Sequence, residues 1–390
     1  MKSKSLGILL SSAILFTASI CTTAAELPTS SFIKGADISI LHDVESHGGK
    51  FYNAQKEQQD PLVILKNNGF NWVRLRLWNE PKDSQGQPYG GGNNSLAVDL
   101  KLAKRAKALG FHLLLDFHYS DFWTDPGKQF KPKAWQQLNN AQLIKTIESY
   151  TQQTVAQFVA QGTTPDMIQI GNEINSGILW PTGKSWGQDG HEFDRLAALL
   201  KAAVKGAKAS AGNALIMFHL AKGGDQNMYK WWFGEITKRN VPFDVIGLSY
   251  YPYWDGSMAA LKANLDYVSE QFHKDVIVVE TQYGYSTQNC DSAPNSFTYK
   301  EAKQVGYPAT VAGQKHYIED LIHTVASVNN HRGAGIFYWA PLWIAAKGAT
   351  WATPAGMAYI NDKWQEGNSR ENQALFDCQG HVLNSIKAFN

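Results

Sequence analysis

Met167-Ile168-Gln169-Ile170-Gly171-Asn172-Glu173 is a largely apolar run that stops on an amide and a carboxylate, and further along Val276-Ile277-Val278-Val279 stops on Glu280. Each reads as a short strand buried on both faces, the pattern of a parallel sheet covered by helices. Working outward, the same beat recurs at 33–38, 72–77, 112–117, 215–218, 245–248 and 335–339, which with 167–170 and 276–279 makes eight candidate strands. Amphipathic stretches with recognisable ends lie between them. Asp60-Pro61 opens one and Gly69 closes it; Asn94 or Ser95 opens 96–109, where Leu96, Leu100, Ala103 and Leu109 recur at helical spacing before Gly110. Segments 193–209 and 314–328 carry the same period. Eight such strands alternating with eight helices predict an α/β fold, a single-domain (β/α)8 TIM barrel with long βα loops after the third, fourth, seventh and eighth strands. An open doubly wound sheet is the structural alternative, but no Gly-x-Gly-x-x-Gly follows the first strand.

The first 25 residues carry Lys2 and Lys4, an apolar stretch over 6–20, and Thr23-Ala24-Ala25 before Glu26, the layout of a secretory signal peptide. Cleavage after Ala25 leaves a barrel domain over 26–390 that is secreted or periplasmic. No segment reaches the roughly 20 uninterrupted apolar residues that a membrane helix needs. Net charge is +2 with acids and bases interspersed, so nucleic acid and anionic membrane are excluded as partners. Neither a repeat nor a flexible linker marks a second domain, and a monomer is expected. Beyond the signal the cysteines are Cys290 and Cys378, an even number in an oxidising space, which predicts one disulfide with two free buried thiols as the alternative. Many of the 13 Trp sit in predicted loops beside Gly and Pro, where rings usually serve a ligand surface.

At the strand C-termini polar groups replace apolar ones: Asp37, Arg76, Asp116, His118, Asn172, Glu173, His219, Ser249, Tyr251 and Glu280, with the aromatic Trp339. Any one of these could be a satisfied structural hydrogen bond, but eight strands turning polar at one rim is hard to explain by packing, and that rim is where such barrels work. Two carboxylates from different strands suit cleavage between sugars, one protonating the leaving oxygen and one meeting the developing oxocarbenium ion. Asn172 beside Glu173 can donate to a hydroxyl next to the scissile carbon.

Asn172-Glu173 closing the fourth strand and Glu280 closing the seventh resemble the clan of (β/α)8 retaining glycosidases. The resemblance narrows with Gly35-Ala36-Asp37-Ile38-Ser39, Val73-Arg74-Leu75-Arg76-Leu77-Trp78-Asn79, Leu115-Asp116-Phe117-His118-Tyr119-Ser120-Asp121-Phe122-Trp123, Leu179-Trp180-Pro181, Ser249-Tyr250-Tyr251-Pro252 and Glu371-Asn372-Gln373-Ala374-Leu375-Phe376-Asp377. These are similar to glycoside hydrolase family 53, the arabinogalactan endo-β-1,4-galactanases. The resemblance implies Glu173 as general acid/base and Glu280 as nucleophile of a retaining double displacement, whose carboxyl groups sit roughly 5 to 5.5 Å apart, against about 6.5 to 9.5 Å in an inverting pair. Glu173 should be protonated at rest, raised by an apolar cleft and by Glu280, while Arg76 and Tyr251 should keep Glu280 ionised. It also implies sugar contacts for Asp37, Arg76, Asp116, His118, Asn172, His219 and Tyr251, with Trp339 as floor. Trp78, Trp123, Trp180, Trp254, Trp343, Trp351 and Trp364 are stacking candidates, of which three or four should touch substrate.

Many bacterial members of that family hold calcium in the loop after the seventh strand. Here the loop offers Asp291 as its acid, so calcium is in doubt, no cofactor is expected to be required, and a Cys290 to Cys378 bridge could pin the loop instead. The nearest rival is another endo-β-1,4-glycanase of the clan, acting on mannan, glucan or xylan. A non-catalytic polysaccharide-binding protein is a rival of another class, opposed by the presence of both glutamates and Asn172. A metal-dependent barrel hydrolase would show His-x-His at the end of the first strand, where this chain has Asp37-Ile38-Ser39.

Overall fold

The computed structural model describes residues 32–390, so the expected signal peptide lies outside the described residues. Eight parallel strands, β1 (Ile33–Asp37), β2 (Trp72–Leu77), β3 (His112–Phe117), β4 (Met167–Ile170), β5 (Leu215–Leu220), β6 (Val245–Ser249), β7 (Asp275–Thr281) and β8 (Gly333–Tyr338), pair in chain order. β8 returns to β1 from Ile33 opposite Gly335 to Ala36 opposite Tyr338, which closes the (β/α)8 barrel. The strand ends differ from the sequence reading by up to two residues. A two-stranded ribbon, Gly177–Ile178 with Gly183–Lys184, stands outside the barrel in the loop after β4.

The helices begin where capping chemistry allows. Asp60 accepts the Leu62 N–H ahead of Pro61–Asn67, and Ser95 accepts the Val98 N–H ahead of Leu96–Ala108. Asn139 and Gln142 form a reciprocal capping box at the head of Asn140–Ala160. The eighth helical position differs from expectation: the chain ends in a 3₁₀ segment, Asn384–Phe389, packed on the helix Val311–Ala326. Phe389 packs on Phe70, with ring centroids 4.1 Å apart, and so seals the gap beside the helix Pro61–Asn67.

Side chains alternate across each strand. Val73 and Leu75, Leu113 and Leu115, and Ile216 and Phe218 face outward into the helix layer. Trp72, Leu114, Met167, Met217, Val245, Ile277 and Phe337 face inward and plug the lower half of the barrel. Phe337 lies on Gly35, where a Cβ would come 2.1 Å from the ring, so the small residue is required there. Above this plug the interior turns polar, with Asp37, Arg74, Arg76, Asp116, Gln169, His219, Ser249 and Glu280 all buried.

One irregularity decides the site. Along β7, Ile277 and Val279 both face the interior plug, so strict alternation would turn Glu280 outward. Instead the pairing slips on both sides: Leu248 pairs with Val278 but Ser249 with Glu280, and Ile336 pairs with Val278 but Tyr338 with Thr281. This bulge inserts one residue at Val279 and re-aims Glu280 into the barrel, while Thr281 bonds Tyr317 in the helix layer.

Loops on the C-terminal side of the sheet form the cleft; that after β2, 78–95, is as long as the loop after β7. The loop after β7 is clamped from behind by a disulfide between Cys290 and Cys378, whose Cα atoms are 5.8 Å apart. Its acid Asp291 is fully engaged, Oδ1 accepting the Ala293 N–H and Oδ2 the Asn368 N–H, both at 2.7 Å. These residues do not fit a calcium site, and among the described residues no group of three or more His, Cys, Asp or Glu is arranged to hold a metal. No helix among the described residues is long and apolar enough to cross a membrane.

Candidate active site

The cleft is built on Arg74. Its side chain rises from β2 through the fully buried centre of the barrel, and each of its five N–H groups has an acceptor. Nη1 reaches Asp37 Oδ2 and Glu280 Oε1, both at 2.8 Å; Nη2 reaches Asp116 Oδ2 at 2.8 Å and Asn172 Oδ1 at 2.9 Å; Nε reaches Gln169 Oε1 at 3.2 Å. One cation thus ties β1, β3, β4 and β7 together at the level of the reacting groups. Removing either side of such a buried cluster costs about 3 to 5 kcal/mol, because the remaining charge is left without water or partner.

Arg74, rather than the expected Arg76, is therefore the cation on Glu280. The barrel register explains the difference. Arg74 stands level with Asp37 on the neighbouring strand, whereas Arg76, one rung higher and level with Asp116, is drawn aside. Its Nη2 bonds the Gly91 carbonyl at 2.6 Å and Asn94 Oδ1 at 3.0 Å, and its guanidinium lies 4.0 Å from the Trp123 ring centroid.

Glu280 also receives the Tyr251 hydroxyl on Oε2 at 3.1 Å. Burial raises its carboxyl, and Asp37 and Asp116 add to the rise, but Arg74 and Tyr251 oppose it. Glu173 has no such cation. Burial lifts it well above the ordinary carboxylate range, the charge of Glu280 adds to the lift, and the Ser249 hydroxyl at 2.6 Å is the opposing contact. Both carboxyls are thus raised, and the Arg74 cation on Glu280 favours placing the proton on Glu173 and the negative charge on Glu280.

The backbone at Glu173 is special as well. Gly171 leaves β4 at φ +83°, where a Cβ would meet Ile174 Cγ2 at 2.4 Å, and Glu173 itself is left-handed at φ +49°. A non-glycine residue there costs roughly 1 to 2 kcal/mol, and the curl it produces presents Asn172 and Glu173 side by side. Asn172 gives its amide N–H to the Thr124 carbonyl at 2.9 Å while its oxygen faces Arg74.

The cleft above these groups has a volume of about 500 Å³ and its lining includes both glutamates. Of the other residues expected to bind sugar, Arg76, His118, Asn172, Tyr251, Trp339, Trp123 and Trp343 line it. Asp37, Asp116 and His219 do not. They lie beneath the wall, Asp37 and Asp116 turned onto Arg74 and His219 against Gln169 and Ser249, each held by a buried partner inside the barrel. Burial and the nearby Arg74 push His219 well below the usual histidine range, so its ring is neutral. Asp116, which burial alone would raise, is brought below the usual range by Arg74 and His118.

Among the seven stacking candidates, Trp123, Trp254, Trp343 and Trp351 reach the cleft. Trp78 is core, packed on Phe122. Trp180 is set behind the wall, its indole N–H held by the Ser176 carbonyl at 2.9 Å, and Trp364 is exposed away from the cleft. Sequence reasoning passed over Arg74, Gln169, Lys222, Asp255 and Arg370. Arg74 carried a usable signal: a charge in mid-strand, two residues before Arg76, on a barrel whose neighbouring strands end in acids.

A family model for glycosyl hydrolase family 53 matches residues 33–389, which spans the whole barrel and both glutamates. The chain belongs to glycosyl hydrolase family 53. It is 34% identical over 376 residues to an endo-β-1,4-galactanase of Bacillus subtilis strain 168, covering 92% of this chain and 85% of that protein. It is also 34% identical over 389 residues to an arabinogalactan endo-β-1,4-galactanase of Cellvibrio japonicus, covering 98% and 95%. The family 53 catalytic domain of Ignisphaera aggregans superposes with a TM-score of 0.87 at 39% identity, covering 94% of this chain and 98% of that one. Membership makes this chain a glycoside hydrolase.

Proposed function

We propose that the protein is an endo-acting β-1,4-galactanase that cleaves galactan chains with retention of anomeric configuration, Glu280 attacking the anomeric carbon and Glu173 serving as acid, then base. The observation that carries this reading is the unequal pair in one cleft: a neutral Glu173 and an anionic Glu280 held by Arg74. Aromatic side chains of Trp123, Trp254, Trp339 and Trp351 line the cleft and offer stacking for sugar rings. Galactan as substrate rests on the names borne by the relatives. The reading includes a monomer acting outside the cytoplasm, supported by the leader-like layout of residues 1–25, and no required metal, supported by the engaged Asp291 in the loop after β7.

A product profile on unbranched β-1,4-galactan tests linkage, sugar and endo action together. Short oligosaccharides should appear early with the β-anomer first by NMR, and mannan, glucan and xylan should release no reducing ends. Release from one of those polymers in place of galactan would move the assignment to another member of the clan.

A further inference from the structure

The Ser249 hydroxyl stands between His219 and Glu173 in a chain of hydrogen bonds whose directions are fixed from one end. His219 Nδ1 receives the Glu173 backbone N–H at 3.4 Å and lies 3.0 Å from Gln169 Nε2. Gln169 cannot turn its amide, because its Oε1 takes the Arg74 Nε–H and its Nε2 also gives to the Gly171 carbonyl. Asn172 Oδ1, 3.1 Å from the same ring nitrogen, is already engaged by Arg74 Nη2. Nδ1 is thus an acceptor, and the neutral ring carries its proton on Nε2. That N–H meets Ser249 Oγ at 2.8 Å. With the oxygen so occupied, the Ser249 O–H turns to Glu173 Oε1 at 2.6 Å.

We propose that Ser249 is a positioning residue for the acid/base: by donating to Oε1 it reserves that oxygen as an acceptor and leaves the catalytic proton on Oε2. This rests on Glu173 being the acid/base. In the first step the Oε2–H bond breaks, its proton passes to the departing sugar oxygen, and the Glu280 carboxylate bonds the anomeric carbon as the glycosidic bond breaks. In the second step water gives a proton to Oε2 and its hydroxyl to the anomeric carbon, releasing Glu280. Ser249 keeps its own proton throughout, since its O–H is committed to Glu173 Oε1 and the proton that moves is the one on Oε2.

A hydroxyl that donates to a carboxylate also favours the ionised form. Ser249 therefore counters the groups that disfavour it: the burial of Glu173, Glu280 on β7, Asp125 in the loop after β3 and Asp255 in the loop after β6. Lys222, after β5, acts on Asp255, and Arg74 acts on the neutral His219 ring.

The test compares full-length wild type, Ser249→Ala and Ser249→Cys on galactan across pH, and on a dinitrophenyl galacto-oligoside whose leaving group departs without a proton. For Ser249→Ala, kcat/KM on galactan should fall roughly tenfold and its alkaline limb should move to higher pH, while the activated substrate changes by less than about twofold. Ser249→Cys, of similar shape with a weaker donor, should fall between and carries the test if the alanine variant does not fold. An unmoved limb, or equal loss on both substrates, would overturn the proposal. Glu173→Gln run alongside separates the two claims: full galactan turnover in that variant removes the acid/base reading itself.

Discussion

Glu173 and Glu280 are the same side chain at the ends of two strands of one barrel, yet they carry opposite protonation states because of what stands beside them. Glu280 comes off a bulge in β7 onto a buried guanidinium and a tyrosine hydroxyl. Glu173 comes off a left-handed turn after β4, with a single serine hydroxyl on its carboxyl and no cation. Chemical identity sets neither role. Local charge and desolvation do, and each acts within a few ångströms.

Replacing the two groups is the most direct way to break this contrast. Glu280→Ala should lower kcat on galactan by on the order of 10⁴- to 10⁶-fold, since no covalent intermediate can form. Glu173→Ala should lose about 10²- to 10⁴-fold on galactan and far less in the first step on a dinitrophenyl substrate, measured as a pre-steady-state burst. Equal losses on both substrates would show that the two carboxylates are not divided as described.

Arg74→Met sharpens the contrast from the Glu280 side. It strands Asp37, Asp116 and Glu280, so unfolding by denaturant should show a loss of about 3 to 5 kcal/mol. The acid limb of activity should move to higher pH, because Glu280 must be ionised and its cation is gone. Lysine should not rescue it, having three donors where five acceptors wait.

The β7 side is also held from behind, and the β4 side is not. Reducing the Cys290 to Cys378 bridge should lower stability by about 2 to 4 kcal/mol and drop the melting temperature, whereas EDTA should leave it unchanged. A fall with EDTA would place a metal in the loop after all. The smallest effect belongs to Glu371, which accepts the Cys290 N–H and is pushed up to about 7 by burial. A raised carboxyl stabilises the fold fully below its unfolded value and loses that contribution as pH climbs. The melting temperature of wild type relative to Glu371→Gln should therefore decline between about pH 4.5 and about pH 7.

Much of this was legible in the chain. The eight runs stood out because strands buried on both faces read as unbroken apolar stretches, and Asp60-Pro61 and Ser95 marked helix starts by local hydrogen bonding that needs no tertiary context. Glu173 and Glu280 stood out as charges where such runs stop. Arg74 was misread in favour of Arg76, because which arginine meets Glu280 depends on the stagger of four strands. Asp37, Asp116 and His219 were placed on the wall of the cleft when they support it, since the buried partners that turn them inward come from other strands. Trp180 and Trp364 resembled Trp123 and Trp351 in sequence, and loop path alone separates them.

By itself, then, the sequence determined that a parallel barrel would form and that two glutamates would close its fourth and seventh strands, because periodicity and strand ends are properties of short stretches. The closed barrel decided the rest: the bulge that turns Glu280 inward, the arginine that keeps it charged, and the histidine and serine that face Glu173. Those depend on register and on desolvation, which exist only once distant strands lie side by side.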